Sequence, residues 1–378
     1  MKPKKLVVIS HTEHYLNAAQ TIVGWGSTIN EINFLADYWD EVVHVGCLYK
    51  SKADKSALPY TKNNIRFVAI PPYGGKTIFD KIRIIFKVPS IIITVIKSLK
   101  GATEVQLRLP TSMGVFLLPI FSFLLPRKFV FWVKYAGNWS QVNPPLSYKI
   151  QRWWLKNNLA KCKVTINGFW ENQSNHCLSF ENPCLTDEDI LTGKQIVSNK
   201  NFSHKFTLCF IGRLDEAKGV DVILESLQKI DLDTIEKIHF IGDSEKRSFY
   251  EKEAHFLGNK VVFHGFEKKK RVHQILAASH FLLLPSKSEG FPKVIAEAAC
   301  YGTIPIVSNV GSISHYIDTS NGFIWDKNST KSFDEIINFA VTENIPLLSE
   351  KSKQLSILAE KFTFNSYLNN LNQKILQQ

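Results

Sequence analysis

Residues Leu284–Glu297 read LPSKSEGFPKVIAE, and this stretch indicates how the second half of the chain folds. An apolar strand ends at Pro285, a loop follows, and a helical pattern begins at Pro292. Proline suits the first position of a helix because the amide hydrogen that it lacks would have no partner there. We therefore interpret the stretch as a strand, a loop and a helix of an α/β sheet.

The same alternation of strands and helices continues on both sides of this stretch. Apolar runs predict strands at Lys5–Ser10, Glu41–Val45, Ile65–Ile70, Glu104–Leu109, Phe129–Tyr135, Phe206–Gly212, Lys237–Gly242, Val261–Gly265, Phe281–Pro285, Ile304–Ser308 and Gly322–Trp325. Helical spacing predicts helices at Ser27–Trp39, Val220–Ile230, Ser244–Phe256, Val272–Ala278, Pro292–Tyr301, Thr330–Ala340 and Phe364–Gln378. This alternation is typical of parallel sheets covered on both faces. We expect two Rossmann-like domains joined within the polar stretch Asn182–Lys205.

Composition and charge place the chain among ordinary globular proteins. Hydrophobic residues make up 44% and charged residues 21% of its 378 residues, which excludes a disordered, collagen-like or coiled-coil chain. The net charge is +12, and residues 1–186 contain 23 basic against 10 acidic side chains, so the excess lies in the first half. Such a field attracts nucleic acid, an acidic membrane or a phosphorylated small molecule. On charge alone, a basic soluble surface is the simpler interpretation.

Cysteine spacing and apolar runs bear on the location of the protein. The six cysteines form no C-x-x-C pair and no zinc spacing with histidines, which predicts reduced thiols in a cytosol and no metal site. Only four apolar residues precede Ser10, too few for a signal peptide. The run Gly114–Pro126 is interrupted by Pro119 and is shorter than the ~20 residues of a bilayer span. We expect a cytoplasmic chain without a transmembrane helix.

Residues Phe210–Gly219, FIGRLDEAKG, combine a strand end with two cations. Arg213 follows Gly212 at the carboxyl end of the strand, and Lys218 precedes the next helix. Ligands of open α/β sheets bind outside the carboxyl ends of strands, and the amide groups at a helix start suit phosphate. The pattern predicts a phosphate or diphosphate site, with two surface cations beside an ordinary turn as the alternative.

Two carboxylates, Glu289 and Glu297, flank the helix start at Pro292. Lys293 and Glu297 are four residues apart and share a helix face. Carboxylates accept hydrogen bonds from sugar hydroxyls, while a helix start suits phosphate. A nucleotide-sugar has hydroxyls at both ends and phosphates in the middle, and it is the ligand that this pattern predicts. The alternative is a Lys293–Glu297 surface pair.

The ordered motifs GRL at 212–214, KG at 218–219, EGFP at 289–292 and Glu297 together resemble the retaining glycosyltransferases of family 4 (glycosyl transferases group 1), which have the GT-B fold. Their Glu-x7-Glu signature is matched by Glu289 and Glu297. The resemblance is specific over about Phe206–Trp325 and rests on strand order in the first half. It implies an acceptor-binding domain at 1–185, a nucleotide-sugar-binding domain at 186–362, a cleft between them, and a helix at 363–378 that packs back on the first domain.

The resemblance also implies roles for single residues. Arg213 and Lys218 would hold the donor diphosphate and take part in catalysis. Glu289 would contact the transferred sugar, also as a catalytic residue, and Glu297 would hold the ribose hydroxyls. Further donor-binding positions are Gly212, Gly242, Asp243, Gly265, Phe266, Gly290, Phe291, Pro292, Lys293 and Val294.

The acceptor side departs from the family pattern. Members commonly have a Gly-Gly loop after their first strand, whereas this chain has a longer loop from His11 to Gly26, with Gly26 in the nearest match. Arg108 stands where members often carry a histidine. Gly137 and Asn138 are further acceptor-side candidates, with a tight turn as their equal alternative.

The family likeness implies transfer with retention, with a nucleotide-diphosphate sugar as co-substrate and no metal ion or other cofactor. Arg213 and Lys218 would stabilise the charge that develops on the leaving diphosphate. Two Asp-x-Asp patterns, at 187–189 and 231–233, match a metal-binding spacing, but we interpret them as solvated acids.

Two apolar stretches with cations, Thr77–Lys100 and Val115–Leu125 followed by Arg127 and Lys128, give the basic first half a further meaning. They match a peripheral contact with an anionic leaflet at the inner face of the cell membrane. Lipid-linked saccharides, which are frequent acceptors in this family, would lie there. A core helix at Ile84–Val95 with lysines on its wet face is an equal alternative.

Three other protein classes fit the sequence less well. A nucleotide-sugar epimerase would lack the ordered cation and Glu-x7-Glu motifs. A nucleic-acid-binding protein is favoured by charge alone, since no helix-turn-helix, zinc-finger or RNA-binding signature is present. An inactive GT-B scaffold would not be expected to keep all four site residues. We therefore expect a glycosyltransferase of cell-surface polysaccharide or glycolipid assembly, with saccharide or lipid-linked acceptors and no nucleic acid partner.

Overall fold

The structure is a computed structural model that describes residues 3–73, 78–126, 128–203 and 205–377, with no side chains described at 78–83. Thr77 and Arg127 lie outside the described residues. The chain divides into two compact units, the first formed by Met1–Phe180 with Leu368–Gln378 and the second by Glu181–Tyr367. Each unit contains one sheet flanked by helices, which confirms the predicted α/β class.

The first unit is built on a sheet of nine strands in the described chain. They are β1 (Lys5–Leu16), β2 (Ile22–Trp25), β3 (Glu41–Leu48), β4 (Ala57–Pro59), β5 (Ile65–Ile70), β6 (Glu104–Leu109), β7 (Val130–Tyr135), β8 (Lys163–Ile166) and β9 (Cys177–Ser179). Parallel pairing gives the order β5-β3-β1-β6-β7-β8-β9, while β2 and β4 add an antiparallel extension. The central strands are buried along nearly their whole length, as parallel sheets require.

The predicted loop from His11 to Gly26 is wrong. β1 continues to Leu16 and turns back into β2, so that this segment is a hairpin. Polar residues concealed the strand, because Ser10, Thr12 and His14 are buried although they are not apolar. Helix α1 (Gly26–Leu35) follows directly and ends before Trp39, the predicted last residue.

Three helices connect the later parallel strands of this sheet: α2 (Ile78–Ser98), α3 (Gly114–Leu124) and α4 (Leu146–Lys156). Each connection moves in the same direction across the sheet, so right-handed crossovers place these helices on one face. Their inward side chains, such as Ile91 and Leu117, share one core with the strands. None of the helices that the structure describes combines the length and the apolarity that a bilayer crossing needs.

The second unit contains a six-stranded sheet in which all described pairings are parallel. Its strands are β10 (Phe206–Ile211), β11 (Ile235–Ile241), β12 (Val261–Gly265), β13 (Phe281–Leu284), β14 (Ile304–Ser308) and β15 (Phe323–Trp325). The spatial order is β12-β11-β10-β13-β14-β15. The six strands predicted for this half are thereby confirmed within one or two residues at each end.

The helices of the second unit are α5 (Asp187–Asn199), α6 (Val220–Leu227), α7 (Arg247–Glu253), α8 (Lys269–Ala278), α9 (Lys293–Cys300), α10 (Phe333–Val341), α11 (Ile345–Ala359) and α12 (Phe364–Leu371). The final helix α12 continues into a π-helical turn at Asn372–Leu376. Residues from Leu368 onward group with the first unit.

Helix α5 occupies most of the stretch that was predicted as a polar join. Thr186 and Asp189 form its capping box, in which each side chain accepts a backbone N–H of the other residue (3.1 and 2.9 Å). Asp189 also accepts from the ammonium of Lys269 at 2.9 Å. The interpretation of 187–189 as solvated acids is therefore wrong for Asp189, which is an anchored helix-start residue.

Glu31 lies in the core of the first unit between two cations. Its Oε1 accepts from Arg108 Nη2 at 2.8 Å and from Lys134 Nζ at 2.7 Å, and all three residues are less than one tenth exposed. Arg108 Nε also donates to Gln106 Oε1 at 2.8 Å. Buried charges are tolerated only when they are paired and hydrogen-bonded, so this cluster depends on the one carboxylate.

We expect Glu31→Gln to lower the free energy of unfolding by about 3–5 kcal/mol, because it removes the carboxylate charge that two buried cations share. Urea unfolding followed by circular dichroism measures this change. Asp37→Asn is the matched control, since Asp37 pairs with Lys62 at the surface (2.5 Å) and its loss should cost no more than about 1 kcal/mol. Equal effects of the two substitutions would contradict the assignment.

Candidate active site

The carboxyl edge of the second sheet contains the point where the strand order reverses. The chain runs from β10 to β11 and β12 on one side, and then to β13, β14 and β15 on the other. The loops after the neighbouring strands β10 and β13 therefore leave the sheet in opposite directions. Ligands of open α/β sheets bind in the crevice that forms at such a point. The two motifs singled out in the sequence follow these two strands.

Glycines end three adjacent strands at this edge. Gly212 N donates to Ile241 O (2.9 Å) and Gly242 N donates to Gly265 O (2.8 Å), so backbone pairing continues to the rim of the sheet. Gly242 has a φ of +138°, and a Cβ there would lie 1.8 Å from Gly212 O. Only glycine fits at this position, and it lets a planar ring approach the backbone closely.

One ion pair joins the two loops across the crevice. Lys218, in the loop after β10, places its Nζ 2.5 Å from Oε1 of Glu289, in the loop after β13. The backbone ties the same loops, since Lys287 N donates to Ala217 O (2.9 Å). The lysine side chain keeps 29% and the glutamate side chain 10% of its area exposed, so a ligand can reach both. The structure thus brings together one cation and one acid that the sequence singled out.

Arg213 lies in the same loop as Lys218 and is exposed. Its guanidinium forms an ion pair with Asp215, whose other oxygen accepts the backbone N–H of Lys218 (3.0 Å). Asp215 therefore orients both cation-bearing residues. Asp215 was not among the predicted site residues, although an aspartate in the turn before a helix is a recognised turn signal.

Helix α9 begins one residue later than predicted, with Pro292 as its N-cap and Lys293 as its first residue. The Lys293 ammonium donates to Pro183 O (2.8 Å) and forms no ion pair with Glu297 in the described part of the chain. The alternative of a Lys293–Glu297 surface pair is therefore wrong. Burial raises the pKa of Glu297, although nearby positive charges such as Lys269 oppose this effect. Glu297 is thus a half-buried carboxylate whose oxygens can accept from a ligand.

The side chain of Phe291 belongs to the core of the second unit. It is 7% exposed and stacks on Phe362 with ring centroids 4.8 Å apart and planes 11° apart. Phe362 O in turn accepts from Cys184 N (3.0 Å) and Leu185 N (3.2 Å). The loop after β13 is thereby fixed to both segments through which the chain passes between the units. Residue 291 can therefore offer a ligand only its backbone.

Two residues after β14, which the sequence analysis missed, shape the same loop. Ser312 donates to Gly290 O through both its N–H (2.9 Å) and its Oγ (3.0 Å). Gly311 has a φ of +61°, and a Cβ there would lie 2.1 Å from Glu289 O. The available signal was a Gly-Ser pair directly after an apolar strand, but its partner loop is about twenty residues away in the sequence.

The remaining donor-side candidates lie at the glycine rim or at the start of α9. Asp243 Oδ1 accepts from Ser244 N (3.0 Å), Phe266 is more than one third exposed just after β12, and Val294 packs against the core. Their part in donor binding stays a prediction.

The four acceptor-side candidates, all in the first unit, are Gly26, Arg108, Gly137 and Asn138. Asn138 Oδ1 accepts from Ser140 N (3.0 Å), which favours the tight-turn alternative at that position. Gly26 is the first residue of α1, and Arg108 is the buried partner of Glu31. Roles of these residues in acceptor binding stay predictions.

A buried chain of polar side chains, which the sequence analysis missed, lies near the carboxyl ends of β1 and β3. Ser10 Oγ is 2.8 Å from His44 Nε2, and His44 Nδ1 is 2.7 Å from Tyr60 Oη. The same hydroxyl is 2.8 Å from His14 Nε2. Burial lowers the pKa of His14 to about 4 and also lowers the pKa of His44, so both imidazoles are neutral at pH 7.

Solved structures share the fold of this chain along nearly its whole length. The Anabaena protein Alr3699/HepE in complex with UDP covers 99% of this chain and 100% of its own, with a TM-score of 0.68 and 16% sequence identity. WaaG, a glycosyltransferase involved in lipopolysaccharide biosynthesis, covers 99% and 100%, with a TM-score of 0.60 and 14% identity. The chain has the predicted GT-B fold with two Rossmann-like α/β domains.

The sequence of the second unit is similar to that of a known protein family. Residues 193–362, somewhat less than half of the chain, match the family Glycosyl transferases group 1, and this segment contains every donor-side candidate. The glycogen synthase of Thermodesulfovibrio yellowstonii is 28% identical over 178 residues, which are 45% of this chain and 34% of that protein. The chain therefore spans about a third of the length of that relative.

Acid should destabilise the first unit through its buried histidines. His14, with a pKa of about 4 against 6.5 ordinarily, takes up a proton only below the pH at which the unfolded chain does. Its contribution to stability is therefore complete above pH 6.5 and is lost as the pH falls toward 4, by about 3 kcal/mol. Urea unfolding at a series of pH values measures this loss.

His14→Gln should flatten that pH dependence relative to the wild type, because glutamine does not titrate. His255→Gln is the control, since it removes an exposed histidine on the second unit. Identical pH profiles for the wild type and the two variants would show that His14 is not a buried neutral imidazole.

Proposed function

We propose that this chain is a retaining glycosyltransferase of family 4 that moves a sugar from a nucleotide-diphosphate donor to a hydroxyl group of an acceptor. The observation that carries the proposal is the Lys218–Glu289 pair at the strand-order reversal. It places a cation suited to a diphosphate beside a carboxylate suited to sugar hydroxyls. The glycine rim next to it is suited to a flat nucleotide base, and Glu297 to the ribose.

The chemistry of the proposed reaction needs charge stabilisation above all. The bond between the anomeric carbon and the phosphate oxygen breaks, and its electron pair leaves with the diphosphate. Arg213 and Lys218 stabilise the negative charge that grows there, which is usually the largest catalytic contribution. The acceptor hydroxyl attacks on the same face of the sugar and gives its proton to the departing phosphate oxygen. The products are a glycoside and a nucleoside diphosphate, and no metal ion or further cofactor is required.

The comparisons support the chemical class of the two substrates. The similar Anabaena structure holds UDP, and the similar WaaG takes part in lipopolysaccharide biosynthesis. By analogy, we propose a nucleotide-sugar donor, a saccharide or lipid-linked saccharide acceptor, and a role in cell-surface polysaccharide or glycolipid assembly. The protein would work in the cytoplasm, at the inner face of the cell membrane.

Removal of either cation should slow turnover strongly. We expect Arg213→Ala and Lys218→Ala to lower kcat by roughly two orders of magnitude or more, because each removes charge stabilisation from the transition state. Release of nucleoside diphosphate from a donor mixture measures turnover. Lys229→Ala is the control, since Lys229 is exposed at the end of α6, away from the crevice.

Wild-type turnover in both Arg213→Ala and Lys218→Ala would reject the assignment of the site. Conversion of the donor into an epimeric nucleotide-sugar, with no acceptor present, would favour the epimerase alternative instead.

Donor binding can be tested without an acceptor. A nucleotide that binds the folded state stabilises it by mass action, by about 2.7 kcal/mol at a hundred times Kd, so a thermal-shift screen of nucleoside diphosphates identifies the base. If Glu297 holds the ribose hydroxyls, the 2′-deoxy nucleotide should shift the wild type less than the ribonucleotide does. Glu297→Gln should shrink that difference, whereas Glu236→Gln, on an exposed part of β11, should preserve it. No stabilisation by any nucleoside diphosphate would contradict the proposed donor site.

A further inference from the structure

The outer surface of α2, α3 and α4, which we name the α2–α4 face, exposes an unusual number of large apolar side chains. These side chains, exposed by 40–82%, are Ile85, Phe86, Ile93, Ile96, Phe123, Leu124, Leu146, Ile150 and Trp153. The three helices lie on the same side of the first sheet, so these residues belong to one side of the first unit. Monomeric proteins expose contiguous apolar groups of this kind mainly where they bind a partner or a membrane.

On α2 the exposed apolar residues form a stripe of their own. At 100° per residue, Ile85, Phe86, Ile93 and Ile96 fall within an arc of about 100°. The core residues of the same helix, such as Ile91, fall on the opposite side. The sequence had left open a core helix with lysines on its wet face. The structure shows that the helix does enter the core, but that its exposed face from residue 84 onward, where side chains are described, is largely apolar.

Contacts between helices α3 and α4 bring their exposed apolar side chains together in one area. The rings of Phe123 and Trp154 meet edge to face at 6.0 Å, and Trp154 Nε1 donates to Ser122 Oγ at 3.0 Å. These contacts bring the exposed end of α3, with Leu124, next to Trp153 on α4.

The charged side chains of the segment that contains α3 and α4 are all basic. No aspartate or glutamate occurs between Glu104 and Glu171, a segment that contains both α3 and α4 and nine basic residues. Lys149 and Lys156 on α4 are exposed, and with Trp153 they line a groove of about 460 Å³. Basic side chains with long apolar stems beside exposed aromatic rings suit the boundary between lipid headgroups and acyl chains.

We propose that the α2–α4 face docks on a membrane leaflet rich in anionic phospholipids, with its apolar side chains inserted and its lysines against the lipid phosphates. A polyanion such as nucleic acid would satisfy the lysines but leave the apolar side chains in water. A second copy docked through the same face would bring like charges together, because α3 and α4 carry no acid to pair with the lysines. Only an anionic bilayer matches both components. The biological role of this face rests on the proposed function, but its binding to a membrane can be tested without catalysis.

Co-sedimentation of the full chain with vesicles tests this proposal. We expect pelleting with vesicles that contain phosphatidylglycerol in phosphatidylcholine, and much less pelleting with phosphatidylcholine alone. Binding should weaken from about 0.1 M to 1 M salt, because the Debye length falls from about 10 Å to about 3 Å. Each lysine near an anionic surface contributes about 1 kcal/mol, so Lys149→Gln with Lys156→Gln should lower the partition coefficient by about tenfold or more.

Single apolar substitutions separate insertion from simple charge attraction. Trp153→Ser should lower partitioning severalfold at both salt concentrations, because it removes inserted apolar area. Phe249→Ser is the matched control, since Phe249 is an equally exposed aromatic residue on the second unit. A double variant of Lys229 and Lys237 to glutamine, also on the second unit, is the control for charge. Unchanged thermal unfolding and nucleotide-induced shifts verify that the variants are folded.

Three outcomes would overturn the proposal: no pelleting with anionic vesicles at low salt, equal losses in the control variants, or binding to a soluble polyanion such as heparin without binding to vesicles. Failure of the nucleotide thermal shift with intact vesicle binding would reject the proposed function and leave the membrane face standing. The reverse result would reject the membrane face alone.

Discussion

The Lys218–Glu289 ion pair spans the place where the second sheet reverses its strand order, and the candidate site is arranged around it. Each residue sits in a loop that begins at the carboxyl end of a buried parallel strand, so neither can move far without disturbing the core. The pair thus presents a cation and a carboxylate side by side to a ligand that enters the crevice. A ligand that replaces this contact would find both side chains already oriented, which lowers the entropy lost on binding.

Local signals were enough to predict most of the second unit. Its strands are short apolar runs, and four of the six end at or just before a glycine or a proline. Both features determine the backbone conformation within a few residues of their own position. The loops that contain Arg213, Lys218 and Glu289 were predictable for the same reason, because each of them begins where a predicted strand ends. What the sequence could not supply were contacts across long separations. Lys293 reaches Pro183, a residue 110 positions earlier, rather than its helical neighbour Glu297.

The first unit was harder to predict because polar residues build part of its interior. Glu31 pairs with cations 77 and 103 residues further along the chain, and nothing in its local sequence marks it as buried. The hairpin of β1 and β2 was predicted as a loop for the same reason, since Thr12 and His14 occupy buried positions where apolar residues were expected. Hydropathy patterns identify interiors made of hydrocarbon, and they fail where hydrogen bonds and ion pairs replace it.

The aromatic stack of Phe291 on Phe362 joins distant segments of the second unit. The carbonyl oxygen of Phe362 accepts from the backbone of Cys184 and Leu185, near the start of the second unit, and Phe362 itself lies near the end of that unit. The loop after β13 and the backbone at residues 184–185 thus both contact Phe362. A displacement of the loop after β13 would therefore disturb the packing of Phe362 and, through its carbonyl oxygen, the backbone at Cys184 and Leu185.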